Sequence, residues 1–309
     1  MRRMTYQQVD RQGRVDALLA KGVANLTDVE KEEIRDLYRG DGDWTCAFYT
    51  PPAVARFAVE MALTTLLAPP RRAIDPWCGI GPFFPFLPPG TDVVGIELLQ
   101  QEADLARVLN PAAAIVRGNT WLEWRQHVGL YDLVVANPPF GPVKQDYVLE
   151  LGLGARNPLA ESLALEVGVN LLRPGGVMVI IVSHGVLANK SSLYVRDWIM
   201  EQCYLHASIS LPPTAFYWQG TGVRTGVLVL RKKAAPSDRG KDYQVLMAVC
   251  EDIGWDSRGR PTGNCELPAI LDVYRQGFPD YGQPASAMPS ERRLPGGPLV
   301  QLPLCDWPA

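Results

Sequence analysis

An α/β fold built on a largely parallel sheet is what this 309-residue chain predicts, on three observations. From residue 48 to 233 short apolar runs alternate with helical stretches, the pattern of a parallel sheet covered on both faces. One early run closes on a Gly-x-Gly turn, Cys78-Gly79-Ile80-Gly81, of the kind that lets backbone approach a ligand at a strand end. A second run, Tyr131 to Ala136, has the look of a buried strand and ends abruptly in Asn137-Pro138-Pro139-Phe140.

Taken in order, residues 1–47 read as a helical extension. Tyr6 to Lys21 has spaced apolar positions, and Thr27-Asp28-Val29-Glu30 has the form of a capping box opening a second helix that reaches about Arg39. Such a pair serves either as a docking surface or as a cap on the main unit. Strands are predicted at 72–75, 92–97, 114–118, 131–136, 177–182, 204–211 and 225–231, seven in all. Helices are predicted over 51–67, 98–109, 159–172 and 191–202, the first capped by Thr50 with Pro51 at its opening position. The last two strands are joined by a loop without a helix, so they are expected to form an antiparallel pair at the sheet edge. Residues 234–309 are rich in Pro and Gly, with one strand over Tyr243 to Cys250 and a short helix near Pro268 to Arg275. The expected division is therefore an extension at 1–47, a main domain at 48–233 and a short tail at 234–309.

Composition narrows the class. No apolar run approaches the roughly 18 residues of a membrane span, and the polar, charged start of the chain does not resemble a signal peptide, so a cytoplasmic protein is expected. The six cysteines, at 46, 78, 203, 250, 265 and 305, contain no C-x-x-C pair and read as buried thiols rather than a disulfide or metal set. No bound metal is expected. Net charge is −3, unusual for a protein that holds a polyanion unaided, which implies a local basic patch or a partner that supplies one.

The motifs suggest their own chemistry. Glu97 ends the strand after the glycine loop, where an acid can hold both ribose hydroxyls of an adenosine. Pro82 and Phe83 stand where a dinucleotide fingerprint has its third glycine, which disfavours a pyrophosphate and points to adenosine without phosphates. In Asn137-Pro138-Pro139-Phe140 the prolines remove two donors and leave carbonyls free, so an amide oxygen and a carbonyl can grip one NH₂ group beside an aromatic ring.

Asp75-Pro76-x-x-Gly79-x-Gly81 and Asn137-Pro138-Pro139-Phe140 together resemble the two hallmark motifs of class I S-adenosylmethionine-dependent N6-adenine DNA methyltransferases. Phe48-Tyr49-Thr50-Pro51-Pro52, lying ahead of the glycine loop, gives the motif order of the gamma group. Leu172-Arg173-Pro174-Gly175-Gly176, Leu211-Pro212-Pro213-Thr214-Ala215-Phe216 and the run after Thr225 are similar to the modification subunits of type I restriction systems. The resemblance runs from about Trp44 to Lys233, and it implies the Rossmann-like methyltransferase fold with S-adenosylmethionine as cofactor and DNA as substrate.

On that resemblance Tyr49, Thr50, Asp75, Pro76, Gly79, Gly81, Glu97, Asn119 and Asn137 are the expected cofactor residues, Asn119 standing where the family often has Asp. Asn137, Pro138, Pro139 and Phe140 would act on the target amine. The flipped base would stack on Phe140 and Phe216, although Phe216 lies in Ala215-Phe216-Tyr217-Trp218, a cluster that also suits a core. Arg224 and Lys190 are single basic residues of the kind that more often face solvent. No block after Lys233 is large enough for a target recognition domain, so a specificity subunit or self-association is expected. Two other readings keep part of the pattern: methylation of an amine in RNA or a protein glutamine, and a non-catalytic binding module.

Overall fold

The computed structural model describes residues 6–39, 48–142, 159–234 and 245–277. Its frame is one sheet in the order β3-β2-β1-β4-β5-β7-β6-β8. The strands are β1 (Arg72–Asp75), β2 (Asp92–Glu97), β3 (Ala114–Arg117), β4 (Tyr131–Ala136), β5 (Leu172–Ser183), β6 (Cys203–Ser210), β7 (Thr225–Lys232) and β8 (Leu246–Val249). All neighbours pair in parallel except β7, which runs antiparallel to both β5 and β6. β4 is buried at every position, as a central strand covered on two faces must be.

Two expectations about this sheet need correction. It has eight strands rather than seven, because β8 lays its apolar Leu246 and Ala248 inward and pairs in parallel with β6. The antiparallel strand is not at the edge either. Lacking a crossover helix, the chain after β6 turns back directly, and β7 slots between β5 and β6, pairing with β5 from Val177↔Arg231 to Ser183↔Thr225.

Helices cover both faces. On one, α3 (Pro52–Thr65) buries Val54, Phe57, Ala58 and Met61 against β4, β5 and β7. A helix of the tail, Leu267–Gly277, packs beside it: Tyr274 is wholly buried and its hydroxyl lies 2.7 Å from Thr65 Oγ1. The described part of the tail, residues 245–277, therefore contributes to the same core as the main sheet. It also carries a two-stranded ribbon, β9 (Ile253–Trp255) with β10 (Pro261–Cys265). On the opposite face the helices Ala160–Leu171 and Leu193–Gln202 enclose a second apolar layer around Val134, Ile180 and Leu230. Cys78, Cys203 and Cys250 are buried free thiols, and Cys265 is half-buried; Cys46 and Cys305 lie outside the described residues.

The N-terminal helices, α1 (Tyr6–Leu19) and α2 (Asp28–Leu37), form a cap on this unit. Thr27 and Glu30 make the reciprocal capping box. Val15, Leu18, Leu26 and Ile34 close over Ile80, Leu105 and Leu109. The Arg11 guanidinium lies over the Trp218 ring at 4.1 Å, and Gln219 Nε2 donates to the Tyr38 carbonyl at 3.2 Å.

Asp132 fastens the start of the central strands. Its Oδ2 accepts from the Arg71 and Arg72 amides at 2.8 and 2.9 Å, and Oδ1 pairs with Arg173. Burial works against the charged form, but the hydrogen bonds and the Arg173 charge outweigh it and hold the carboxyl below its ordinary value. A depressed folded pKa contributes stability that is full above the unfolded value of about 3.9 and is lost as pH falls through the folded one. Asp132→Ala should thus cost about 2 to 3 kcal/mol in urea unfolding at neutral pH. The gap from wild type should shrink as the acid limb is approached.

Candidate active site

The expected site residues come from four neighbouring strand ends on one edge of the sheet. β3, β2, β1 and β4 are adjacent and parallel, so the residues following each of them share the carboxyl edge. Strand order reverses between β1 and β4, the place where open α/β sheets leave a crevice. Asp75 closes β1, Glu97 closes β2, Asn119 follows β3 and Asn137 follows β4.

The glycine loop is tied to Glu97. Its Oε2 accepts from the Gly79 amide at 2.9 Å and its Oε1 from the Leu99 amide at 2.8 Å. Burial raises the carboxyl above its usual range, while the bonds from Leu99 and Gly79 pull the other way. Each oxygen retains a further lone pair, so the group can still accept from a pair of hydroxyls. Gly79 and Gly81 take φ of 52° and 78°, which only glycine adopts at little cost. The close approach that they permit is internal: a Cβ on Gly79 would come within 2.5 Å of the Tyr49 ring, and one on Gly81 within 2.6 Å of Phe84. Tyr49 thereby sits on the loop, and its ring meets Tyr38 edge-on at 4.9 Å.

Asp75 and Pro76 are buried. Asp75 Oδ1 accepts from the Trp77 amide at 3.0 Å, and burial first, with Glu97 nearby, pushes its carboxyl well above the ordinary range. Its Oδ2 is buried and has no partner among the described residues. The Pro76 carbonyl accepts from the Thr120 hydroxyl, which draws the segment after β3 onto the loop. Asn119 caps the short helix Thr120–Glu123, its Oδ1 accepting from the Trp121 amide at 3.1 Å, so that oxygen is already engaged. The exposed side chains of Leu98 and Leu122 follow Glu97 and Asn119 on this edge, an apolar feature the sequence reading passed over.

Asn137 is the best-defined group. Its Nδ2 donates to the Phe48 carbonyl at 2.6 Å and to Thr50 Oγ1 at 3.0 Å. A carbonyl can only accept, so the amide orientation is fixed and Oδ1 points the other way. That oxygen is buried and has no partner among the described residues. Thr50 does not cap the following helix, contrary to expectation: the helix opens at Pro52 without a side-chain cap, and the Thr50 hydroxyl is spent on Asn137. Pro138 is buried, and its carbonyl accepts from no described residue. Beyond Phe140 the turn is held by Glu161, unremarked in the sequence, whose Oε2 accepts from the Gly141 amide at 3.0 Å.

The two aromatic candidates part company. Phe140 and Pro139 are half-exposed, the ring 6.2 Å from Phe48. Phe216 is wholly buried in the apolar core with Ala215 and Leu211, which leaves no ring face for a base; the core alternative is the one realised. A cleft of about 560 Å³ adjoins the site behind Tyr49 and Thr50, with Tyr38, Pro82, Trp218 and Trp255 in its walls. Residues 143–158 lie outside the described residues.

Known proteins place this geometry. Type I restriction enzyme StySPI methylase subunit of Salmonella potsdam is 30% identical over 151 residues, 45% of this chain and 28% of that protein, so the chain matches less than a third of that relative's length. Among solved structures, the type I restriction-modification methyltransferase subunit from Streptococcus thermophilus superposes with a TM-score of 0.63 at 20% identity, covering 81% of this chain and 57% of that one. A Listeria monocytogenes protein described as a class I S-adenosylmethionine-dependent methyltransferase gives 0.62 at 16% identity, covering 88% and 91%. At such identities the structures establish the fold, which is that of class I methyltransferases. The sequence model of N-6 DNA Methylase matches residues 98–278, from the residue after Glu97 to the end of the tail helix and more than half of the chain, and the chain belongs to that family.

Proposed function

We propose that this protein transfers a methyl group from S-adenosylmethionine to the N6 amine of adenine in DNA. The observation that carries the reading is the buried, unpartnered Oδ1 of Asn137, held in place from behind by Phe48 and Thr50. A buried acceptor left unsatisfied costs about 1 to 3 kcal/mol, so a ligand N–H that reaches it is favoured by a comparable amount. Adenine N6 offers two hydrogens, one for Asn137 Oδ1 and one for the Pro138 carbonyl. With both hydrogens held, the nitrogen lone pair is drawn out of the ring and aimed at the methyl carbon. The N6–C bond forms as the C–S bond breaks, sulfur keeps the electron pair, and the methylated nitrogen sheds a proton to solvent. Positioning supplies most of the rate, and no strong base is needed beforehand.

The cofactor's adenosine fits the edge beside it. Glu97 has lone pairs left for ribose hydroxyls, and Leu98 offers an exposed apolar side chain beside them. Bound there, S-adenosylmethionine supplies a methyl group already activated on a sulfonium. Asn119 offers its amide NH₂ and the second lone pair of an oxygen that already caps the following helix. A base turned out of the duplex gains about 1 to 3 kcal/mol by stacking on Phe140, which offsets part of its unstacking. Recognition of a sequence is assigned to a partner, a specificity subunit or a second copy, since a net charge of −3 disfavours unaided DNA binding.

Three measurements test the reading. Incubating DNA with the purified chain and cofactor, then digesting to nucleosides, should yield N6-methyladenine; methyl groups appearing only in RNA or protein would overturn it. Glu97→Ala should weaken cofactor binding by calorimetry roughly 10- to 100-fold, the loss of one or two charge-assisted bonds. Glu97→Gln, which keeps an acceptor for the Gly79 amide, should lose less, separating ligand contact from loop support. Asn137→Ala should reduce transfer at least about 100-fold while cofactor affinity stays within a few-fold. Thr50→Val, which removes one of the two anchors of the Asn137 amide and leaves the Phe48 carbonyl, should lower kcat by a smaller factor.

A further inference from the structure

Arg224 stands at the carboxyl edge with no counter-charge among the described residues. Arg224, just before β7, is exposed and its guanidinium makes no hydrogen bond or ion pair with any described residue. The strand register brings it to the site. In β4 and β5 Ala136 pairs with Ile180, so Asn137 to Phe140 run beside the end of β5 at Ser183. Neighbouring strands are about 4.8 Å apart. Ser183 pairs with Thr225, and the His184 amide donates to the Arg224 carbonyl at 3.0 Å. His184 Nε2 lies 2.8 Å from Ser210 Oγ at the end of β6. Phe140, His184, Arg224 and Ser210 thus follow one another along the same edge, in the order β4-β5-β7-β6.

The electrostatics of this row are one-sided. His184 is half-buried, and its pKa is lowered by burial and, after that, by the Arg224 charge, with no carboxylate acting on it. An exposed guanidinium without a counter-charge, close enough to His184 to lower its pKa, is a charge-assisted donor for an anion, and the imidazole and the Ser210 hydroxyl can each add one donor.

We infer that Arg224, with His184 and Ser210 behind it, seats a backbone phosphate of the strand whose adenine enters the Asn137 site. The seat rests on the adenine reading above. Phosphate contacts fix register and orientation without reading sequence, which suits a chain that leaves recognition to a partner. Holding the phosphate beside the crevice would keep the everted nucleotide from swinging back.

The test uses the full chain and a duplex containing an adenine that it methylates. Arg224→Ala should raise the KM for DNA about tenfold, and the slope of log affinity against log salt should flatten by about one, as removal of one phosphate contact does. Arg71→Ala, at the opposite end of the strands, should leave that slope alone. Neutral methylphosphonate linkages, placed one at a time around the target, should include one that weakens wild type about as much as Arg224→Ala and does not weaken the variant further. His184→Gln should raise KM by a smaller factor. A wild-type KM and salt slope in Arg224→Ala, or equal sensitivity of variant and wild type to every linkage, overturns the seat while the adenine reading stands. A wild-type chain that methylates no adenine in any DNA takes down both.

Discussion

The site depends on two hydrogen bonds from one amide. Asn137 Nδ2 reaches the Phe48 carbonyl and the Thr50 hydroxyl, groups that lie 89 and 87 residues earlier in the chain. Those bonds decide which end of the amide faces the crevice, and they join the segment ahead of α3 to the end of the central strand. The same segment carries Tyr49 onto Gly79, and Gly79 is bound to Glu97. The loop, the acid and the acceptor therefore form one connected network, each group oriented by a neighbour on a different strand. A network of this kind rigidifies what it holds, provided its buried members are satisfied. The Asn137 oxygen is an exception at the mouth, and Asp75 Oδ2 is another beneath the loop.

The carboxylates follow a similar division. Asp75 and Glu97 are close enough for one to raise the pKa of the other, and burial dominates both. Asp75 has no exposed surface and spends its one hydrogen bond on the turn. Glu97, at the mouth, bonds two amides and remains within reach of a ligand. Two acids that close neighbouring strands thus sit at different depths in the fold, and both hold loop amides.

Most of the architecture was legible in the sequence, and the reasons are local. Tyr131 to Ala136 is a short β-rich run closed by two prolines, and Thr27 with Glu30 spells out its own helix start. The strands at 72–75, 92–97 and 225–231 were bounded by turn chemistry and fell where expected. What failed was non-local. That Leu246–Val249 joins the main sheet depends on an open edge at β6, which no window around residue 246 reveals. Phe216 and Thr50 show the same limit at the site. An aromatic in an aromatic cluster carries no mark of which side it faces, and Thr before two prolines looks like a helix cap until a distant amide claims its hydroxyl. Glu161 gave no signal either, because its partner is a backbone N–H.

The tail helix has a bearing on how the protein is made. Tyr274 meets Thr65 across 209 residues of chain, and Leu267, Ile270 and Leu271 complete the apolar layer over α3. During synthesis the early strands and α3 leave the ribosome long before that layer can close. Until then the apolar face of α3 is partly bare, and the edge of β6 is unpaired, since β8 also comes late. Partly exposed apolar surface and open strand edges are what chaperones engage and what aggregation exploits. The strand ends that carry Asp75, Glu97 and Asn137 and the residues that finish the cover over α3 thus come from opposite ends of the chain, and they are completed at different times as it is made.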